Sequence, residues 1–315
     1  MLKILLLIVI VIVLLLLAAG YALFFAGIVR YERKSEKKKK KENPFVPAEY
    51  AQMCADGVRW FKEQETERVH ISSYDGLRLA GLFLPAEGEA KGTIILFHGY
   101  RMDGYADFAC VYKLYHDWGY NLLNVFQRSH AESEGKYITF GVRERFDARD
   151  WAVYVADRFG PEHDIFLGGL SMGSSTVLMA TGTQLPENVR GVIADCGFTS
   201  PYDEFVHFLK TRLHLPVHPF IDLAEGFSQL LAGFGFRDYS TLEAMKVNTL
   251  PILFIHGEDD QLVPLKHTTD TFAACRSEKT LITVPKAGHG LSYLLDQDRC
   301  QEALKEFLAK HSTVK

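Results

Sequence analysis

The sequence predicts an α/β protein built on a mostly parallel, eight-stranded sheet with helices on both faces. Two observations predict it. First, short runs rich in β-branched and large apolar residues alternate with helical stretches from residue 93 to 310. Alternation of this kind means a parallel sheet wrapped by crossover helices. Second, Val69–Ser73 and Leu77–Phe83 flank Tyr74-Asp75-Gly76. Asp-Gly is a hairpin signal, so the sheet opens with an antiparallel pair. The remaining strands are expected at Thr93–Phe97, Asn121–Val125, Asp164–Gly168, Gly191–Asp195, Ile252–His256 and Leu281–Val284. Phe146–Phe159 and Leu291–Lys310 are the clearest helices between and after them. Ahead of the sheet, Ala48–Thr66 carries Tyr50, Cys54, Val58 and Phe61 on one helical face, with Met53 beside them.

The chemistry-bearing stretch is Gly169-Leu170-Ser171-Met172-Gly173. It reads G-x-S-x-G between a strand (163–168) and a small-residue helix (174–181). A strand, a sharp turn and a helix lift a serine hydroxyl to the top of a sheet on strained backbone. The two glycines are expected because a Cβ would clash in so tight a turn. Serine is a poor nucleophile at neutral pH, so an imidazole must take its proton. A buried carboxylate must then fix the imidazole tautomer. Downstream, Glu258-Asp259-Asp260 follows one strand and Lys286-Ala287-Gly288-His289 follows the next. Each lies past the carboxyl end of its strand, the edge of an open α/β sheet where ligands bind. The order nucleophile, acid, histidine fits. Periodicity does not separate Asp259 from Asp260.

From about Arg68 onward the chain resembles a serine α/β-hydrolase, of the small esterase, monoacylglycerol-lipase-like or serine-aminopeptidase-like kind. The resemblance rests on Phe97-His98-Gly99-Tyr100, on Gly169–Gly173, and on His256–Asp260 with Gly288-His289. It implies the α/β-hydrolase fold. The pattern H-G-x-x-D-x-x-V-P lands on Asp260 with Val263-Pro264, which makes Asp260 the acid and Asp259 a solvated loop residue. The resemblance also implies an oxyanion hole formed by the N–H groups of Tyr100 and Met172. His98 then reads as a strand-end histidine bonded to backbone. A cap is implied between the sixth and seventh strands, where Thr199–Val247, about 49 residues, far exceeds the usual connection of ~2–6. Its many phenylalanines and leucines point to a greasy acyl or aromatic pocket beneath it, although most should simply pack the cap down. One segment departs from the family. In Phe126–Gly135, Arg128, His130 and Ser133 match a D-x-R-x-H-G-x-S loop, while Phe126 and Ala131 stand in place of Asp and Gly. That departure bears on the local loop geometry and on the pocket edge, with His130 expected to hold the loop.

The bulk numbers bound the rest. The net charge of −4 carries no basic field for nucleic acid. Five cysteines, an odd number with no metal or redox spacing, fit reduced thiols facing a cytosol. No metal or cofactor is implied. Ile4–Val29 is almost continuously apolar for about 26 residues, where a bilayer span needs ~20. Ala18-Ala19-Gly20 imitates a cleavage site, but the apolar run continues through Phe24-Phe25, so an uncleaved single-pass anchor is expected. Arg30–Lys41 follows, rich in lysine, and this bias puts the catalytic domain on the cytoplasmic side of the cell membrane.

The expected organisation is an anchor at 1–29, a basic linker at 30–47 and a hydrolase domain at 48–315 with its cap at 199–247. The expected function is cleavage of small acyl or lipid-derived carboxylic esters through an acyl-enzyme, with Ser171, Asp260 and His289 as the triad. Two alternatives stand beside it. A peptidase or amidase would use the same triad, and it ranks second because no acidic motif for a substrate amine stands out. A hydrolase-fold scaffold with an idle site is the other. Serine at 171 argues against the dehalogenase and epoxide-hydrolase branches, which carry Asp there. Natural substrate and oligomeric state are not legible.

Overall fold

The computed structural model of the chain describes residues 1–30 and 46–313. The lysine run expected to orient the protein in a membrane lies almost wholly outside the described residues. The chain opens with helix α1 (Leu2–Ile28), followed by α2 (Ala48–Glu63) and the hairpin β1 (Glu67–Ser72) and β2 (Arg78–Leu84). Gly76 in the turn has φ 85°, the left-handed region that its missing side chain makes available. Then come β3 (Thr93–Phe97), α3 (Tyr112–Asp117), β4 (Asn121–Phe126), α4 (Glu144–Phe159), β5 (Ile165–Leu170), α5 (Met172–Ala180) and β6 (Val189–Asp195). The cap insertion holds α6 (Pro201–Thr211), α7 (Phe220–Phe227), a π-helical turn (Ser228–Ala232) and α8 (Thr241–Met245). The chain returns to the sheet with β7 (Ile252–Gly257), α9 (Leu265–Ala274) and β8 (Lys279–Val284), and ends in α10 (Ser292–Leu295) and α11 (Gln297–His311).

The eight strands form one sheet in the order β1-β2-β4-β3-β5-β6-β7-β8. β1 pairs antiparallel with β2, and β2 with β4; every other pairing is parallel. Successive side chains of a strand point to opposite faces, and β3 shows the consequence. Ile94 and Leu96 join the core under α2, α3 and α11, while Ile95 and Phe97 join the core under α4, α5 and α8. Both faces are covered, which is why the central strands β3, β5 and β7 are buried along nearly all of their length, while β8 at the edge is only partly covered. A third apolar cluster joins the cap to Phe24 and Ile28 of α1. The sheet and cap expected from the sequence are therefore present.

Two details differ from the sequence reading. The single helix expected over Leu291–Lys310 is broken at Asp296, whose side chain accepts the Arg299 N–H and caps a new helix. Local capping by an aspartate wins over continuous periodicity there. In the 126–135 loop, Ala131, at the position where the resemblance implies glycine, itself takes φ 43°, and Ser129 takes φ 64°. Buried Arg128 holds the loop. Its guanidinium bonds Asp147 through two contacts of 2.6 Å and reaches Asp75 of the hairpin turn at 2.9 Å.

Replacing Arg128 by methionine leaves the buried Asp147 carboxylate without its charge partner. The expected loss of stability is about 3–5 kcal/mol, measured by denaturant unfolding of the purified protein.

Candidate active site

Ser171 stands between β5 and α5 with φ 56° and ψ −118°, a strained conformation for a residue with a side chain. The neighbouring glycines explain how the turn closes. A Cβ on Gly169 would lie 2.3 Å from the Gly173 carbonyl oxygen, and one on Gly173 would lie 1.7 Å from that of Phe97. Both are excluded by contact with backbone, as the sequence implied. The Ser171 N–H donates to the Asp195 carbonyl at 2.9 Å, which ties the turn to the end of β6.

The three side chains expected to act together are brought together. His289 Nε2 lies 2.9 Å from Ser171 Oγ, and His289 Nδ1 lies 2.7 Å from Asp260 Oδ2. The other Asp260 oxygen accepts the N–H groups of Leu262 and Val263, both at 2.9 Å. Burial pushes the Asp260 carboxyl up, but the hydrogen bonds of His256 and His289 and the Val263 N–H outweigh it and hold the group well below the usual carboxylate range. His256 is itself fixed: Nε2 donates to the Val263 carbonyl at 2.9 Å and Nδ1 meets Thr268 Oγ1 at 2.7 Å. Asp259, by contrast, is exposed.

The loop after β3 runs beside this trio. Gly99 donates its N–H to Asp107 Oδ2 at 2.5 Å, and a Cβ on Gly99 would lie 3.4 Å from that of Ser171. No hydrogen bond to another described residue occupies the N–H of Tyr100 or of Met172. Met172 begins α5, where the first N–H groups of a helix lack intrahelical partners. His98 and His130 meet edge to face at 4.8 Å. Burial, then the neighbouring His130, lowers the His98 imidazole to about 3; burial lowers His130 to about 4. Both are neutral connectors. His98 Nε2 accepts from Gln127 N–H at 3.1 Å, and His130 Nε2 accepts from Arg101 N–H at 3.0 Å.

Ser171 and His289 open into a cavity of about 860 Å³, within the range of small-molecule sites. Its walls are mostly apolar, from the cap, the loop after β3 and α1. Three acids in the wall were not picked out from the sequence. Asp107 and Asp195 are each pushed up to about 6, first by burial. Glu204, on cap helix α6, is pushed up to about 8 by burial and then by Asp260 and Asp203. Its Oε2 is shielded from solvent and has no hydrogen-bond partner among the described residues. Asp195 had a signal, since it ends a strand at the ligand edge of the sheet; Glu204 on an amphipathic cap helix had none. Cys54 and Cys110, 56 residues apart, approach to 3.6 Å as thiols, a pairing that sequence spacing concealed. Cys196 offers a sulfur within 4.8 Å of donor atoms of Asp260 and His289. Burial, then Asp195, pushes that thiol well up, which disfavours the thiolate a cation would need.

A profile of the prolyl oligopeptidase family matches residues 139–315, the segment that holds Ser171, Asp260 and His289. The chain belongs to the prolyl oligopeptidase family. It is similar to the uncharacterized protein YqkD of Bacillus subtilis, at 27% identity over 248 residues, 79% of this chain and 81% of that one. Among solved structures it is similar to the Pyrococcus furiosus esterase Pf2001, with a TM-score of 0.66 at 20% identity, covering 90% of this chain and 98% of that one. It is also similar to an acylaminoacyl peptidase of Pyrococcus horikoshii, with a TM-score of 0.62 at 20% identity, covering 81% of this chain and 43% of that one. The protein is thus a hydrolase of the esterase/peptidase kind on the serine α/β-hydrolase fold.

Glu204 generates a pH prediction. Its folded value of about 8 exceeds its ordinary 4.5, so the folded state binds its proton more tightly than the unfolded state. That contribution is fully present below pH 4.5 and is lost as pH rises through 8. Glu204→Gln removes the titration. The variant should gain stability relative to the unmodified protein when thermal midpoints measured on the two sides of that window are compared, with the gain on the alkaline side.

Proposed function

We propose that the protein is a membrane-anchored serine hydrolase that cleaves carboxylic esters, lipid-derived or small acyl, through an acyl-enzyme intermediate. The observation that carries this reading is the continuous hydrogen-bonded line Ser171–His289–Asp260 at the mouth of an apolar cavity. Ser171 Oγ attacks the ester carbonyl carbon while His289 Nε2 takes the hydroxyl proton. Asp260 holds the proton on Nδ1 and stabilises the imidazolium that forms. The Tyr100 and Met172 N–H groups receive the negative charge on the carbonyl oxygen. Collapse expels the alcohol, protonated by His289, and leaves the acyl group on Ser171. Water, deprotonated by His289, repeats the sequence and releases the acid.

A second reading has a specific observation in its favour. Glu204 supplies the acidic pocket group that the sequence did not reveal, and a carboxyl whose Oε2 has no partner among the described residues suits a substrate amine. An aminoacyl amide or peptide substrate would pair with it. The apolar walls favour the ester, because an amine-binding pocket must keep a buried charge paired and hydrogen-bonded. Turnover by the full-length protein of a panel of p-nitrophenyl esters and aminoacyl p-nitroanilides separates the two. The same panel separates both from an idle scaffold, which would turn over neither and would leave Ser171 unlabelled by a fluorophosphonate.

The anchor belongs to this proposal. α1 is long and apolar enough to cross a membrane, and no side chain in its first 18 residues is buried. At 1.5 Å per residue those residues cover about 27 Å, close to a hydrocarbon core of ~30 Å. The lysine run after the helix supports a cytoplasmic catalytic domain. A core helix of a soluble protein would be buried, which argues against that alternative.

Ser171→Ala and His289→Ala should each abolish ester turnover, because triad members act as a unit. Asp260→Asn should lower kcat on the order of 10⁴-fold by favouring the wrong histidine tautomer, while Asp259→Asn stays near the unmodified rate. Equal effects of the two aspartate changes would move the acid away from Asp260. For topology, protease added to sealed vesicles should digest the catalytic domain in inside-out vesicles only. Digestion in right-side-out vesicles, or a mature chain starting near Tyr21, would reject the cytoplasmic anchor.

A further inference from the structure

The composition of α1 changes along its length. Residues 4–17 are leucine, isoleucine and valine alone; from residue 18 onward Ala18, Ala19, Gly20, Ala22, Ala26 and Gly27 appear. The change coincides with the point where the helix meets the rest of the protein. Gly20, Phe24 and Ile28, spaced four apart on one face, are buried against the cap. A Cβ on Gly20 would lie 2.4 Å from Leu223 Cβ, so the glycine sets the closest approach of α1 to α7. Tyr21 packs edge-on to Phe227 at 5.4 Å. An adjoining face, with Ala19, Ala22, Leu23 and Ala26, lines the cavity that holds Ser171 and His289.

The end of α1 is fastened to the loop that carries Tyr100. The Tyr100 hydroxyl donates to the Gly27 carbonyl at 2.8 Å, and the Arg101 guanidinium donates to the carbonyls of Ala26 at 2.6 Å and Val29 at 3.1 Å. These are helix-terminal carbonyls without intrahelical partners, and a cation there also complements the helix dipole. Beyond the helix, Ile138 N–H donates to the Ile28 carbonyl, and Arg30 N–H to that of Lys136, both at 2.8 Å.

We infer that α1 is a wall of the acyl-binding site as well as an anchor: the hydrocarbon chain of a long-chain ester lies along its Ala19–Gly27 face and reaches Ser171 from the bilayer without crossing water. This rests on the ester-hydrolase reading. Two features set the direction. The cavity has a second flank, at Cys54, Tyr115 and Leu304, but those residues belong to the domain core. The α1 flank continues directly into helix surface that is exposed around its whole circumference. The switch to small side chains also leaves room for a chain beside the helix at the positions where the cavity runs, while the lipid-facing part keeps its bulk. A consequence is that removing α1 to obtain soluble protein removes part of the site.

The test uses full-length protein in phospholipid vesicles and a dodecyl fluorophosphonate with a diazirine at the end of its chain. The phosphonyl group marks Ser171, and light then fixes the chain end where it lies. Cross-links mapped to the 19–27 peptide are expected; cross-links to the flank at Cys54, Tyr115 and Leu304 overturn the inference. Failure of both this probe and a short ethyl fluorophosphonate to modify Ser171 sinks the parent reading instead. In parallel, Ala22→Leu and Ala26→Leu should each lower the ratio of kcat/KM for p-nitrophenyl laurate to that for p-nitrophenyl acetate by about tenfold. Leu14→Phe, on the exposed stretch, should change neither. An unchanged laurate-to-acetate ratio in both alanine variants overturns the inference, and should either variant fold poorly, the cross-link map decides.

Discussion

The site depends on one backbone contact: the start of α5 crossing the end of β3 with no side chain between them. A Cβ at Gly173 would sit 1.7 Å from the Phe97 carbonyl oxygen, closer than any real contact. Ser171 holds φ 56° and ψ −118°, which costs energy of order 1–3 kcal/mol and persists only where the surroundings over-determine it. They do so here. The Ser171 N–H is tied to β6, its carbonyl accepts the Ser175 N–H at 3.1 Å, and Gly169 packs against Gly173. The position of Ser171 Oγ at 2.9 Å from His289 Nε2 and the start of α5 at Met172 both follow from that crossing. The same closeness sets the loop after β3 beside the turn, so Tyr100 is placed by the same constraint.

Electrostatics then separates four carboxyl groups that share one small volume. Asp260 is buried, yet it receives two backbone N–H groups and the His289 imidazole, with His256 Nε2 3.4 Å away, and its charge is favoured. Asp107 has a single N–H, from Gly99, and is pushed up to about 6. Asp195 and Glu204 each carry an oxygen with no partner among the described residues, and are pushed up to about 6 and about 8. The number of donors sets the order in which these acids hold their charge, with Asp260 holding it most firmly beside His289. While it keeps its proton, Glu204 adds no further negative charge beside Asp260.

How much of this was legible in the sequence depends on the range of the interaction. The strands could be read because a parallel sheet buried on both faces demands short apolar runs, as in Ile94–Phe97 and Ile252–Ile255. The Ser171, Asp260 and His289 positions could be read because each lies just past a strand end, where topology alone gathers them. The break at Asp296 was missed because an apolar period continues through it. Glu204 was missed because its burial is made by the fold of the cap and not by its neighbours in sequence. The approach of Cys54 to Cys110 joins α2 to the loop before α3, and nothing local encodes it.

The docking of α1 was hidden for a different reason. A helix apolar all round looks the same in sequence whether lipid or protein surrounds it. Only the glycines and alanines of its last three turns mark the change, and small residues are what close helix packing within or beside a bilayer requires. The third apolar cluster shows what this contact does: Phe24 and Ile28 are fully buried in it together with Ile221, Ala224, Phe234 and Phe236 of the cap. The cap core is therefore incomplete without α1. In the proposed arrangement the exposed Leu230 and Leu231, in the π-helical turn that follows the Phe227 that Tyr21 touches, extend the same apolar surface. Attachment to the membrane, closure of the cap and placement of the Tyr100 loop then share one set of contacts. A displacement of α1 cannot leave the cavity beside Ser171 unchanged, because Ala19, Ala22, Leu23 and Ala26 line it.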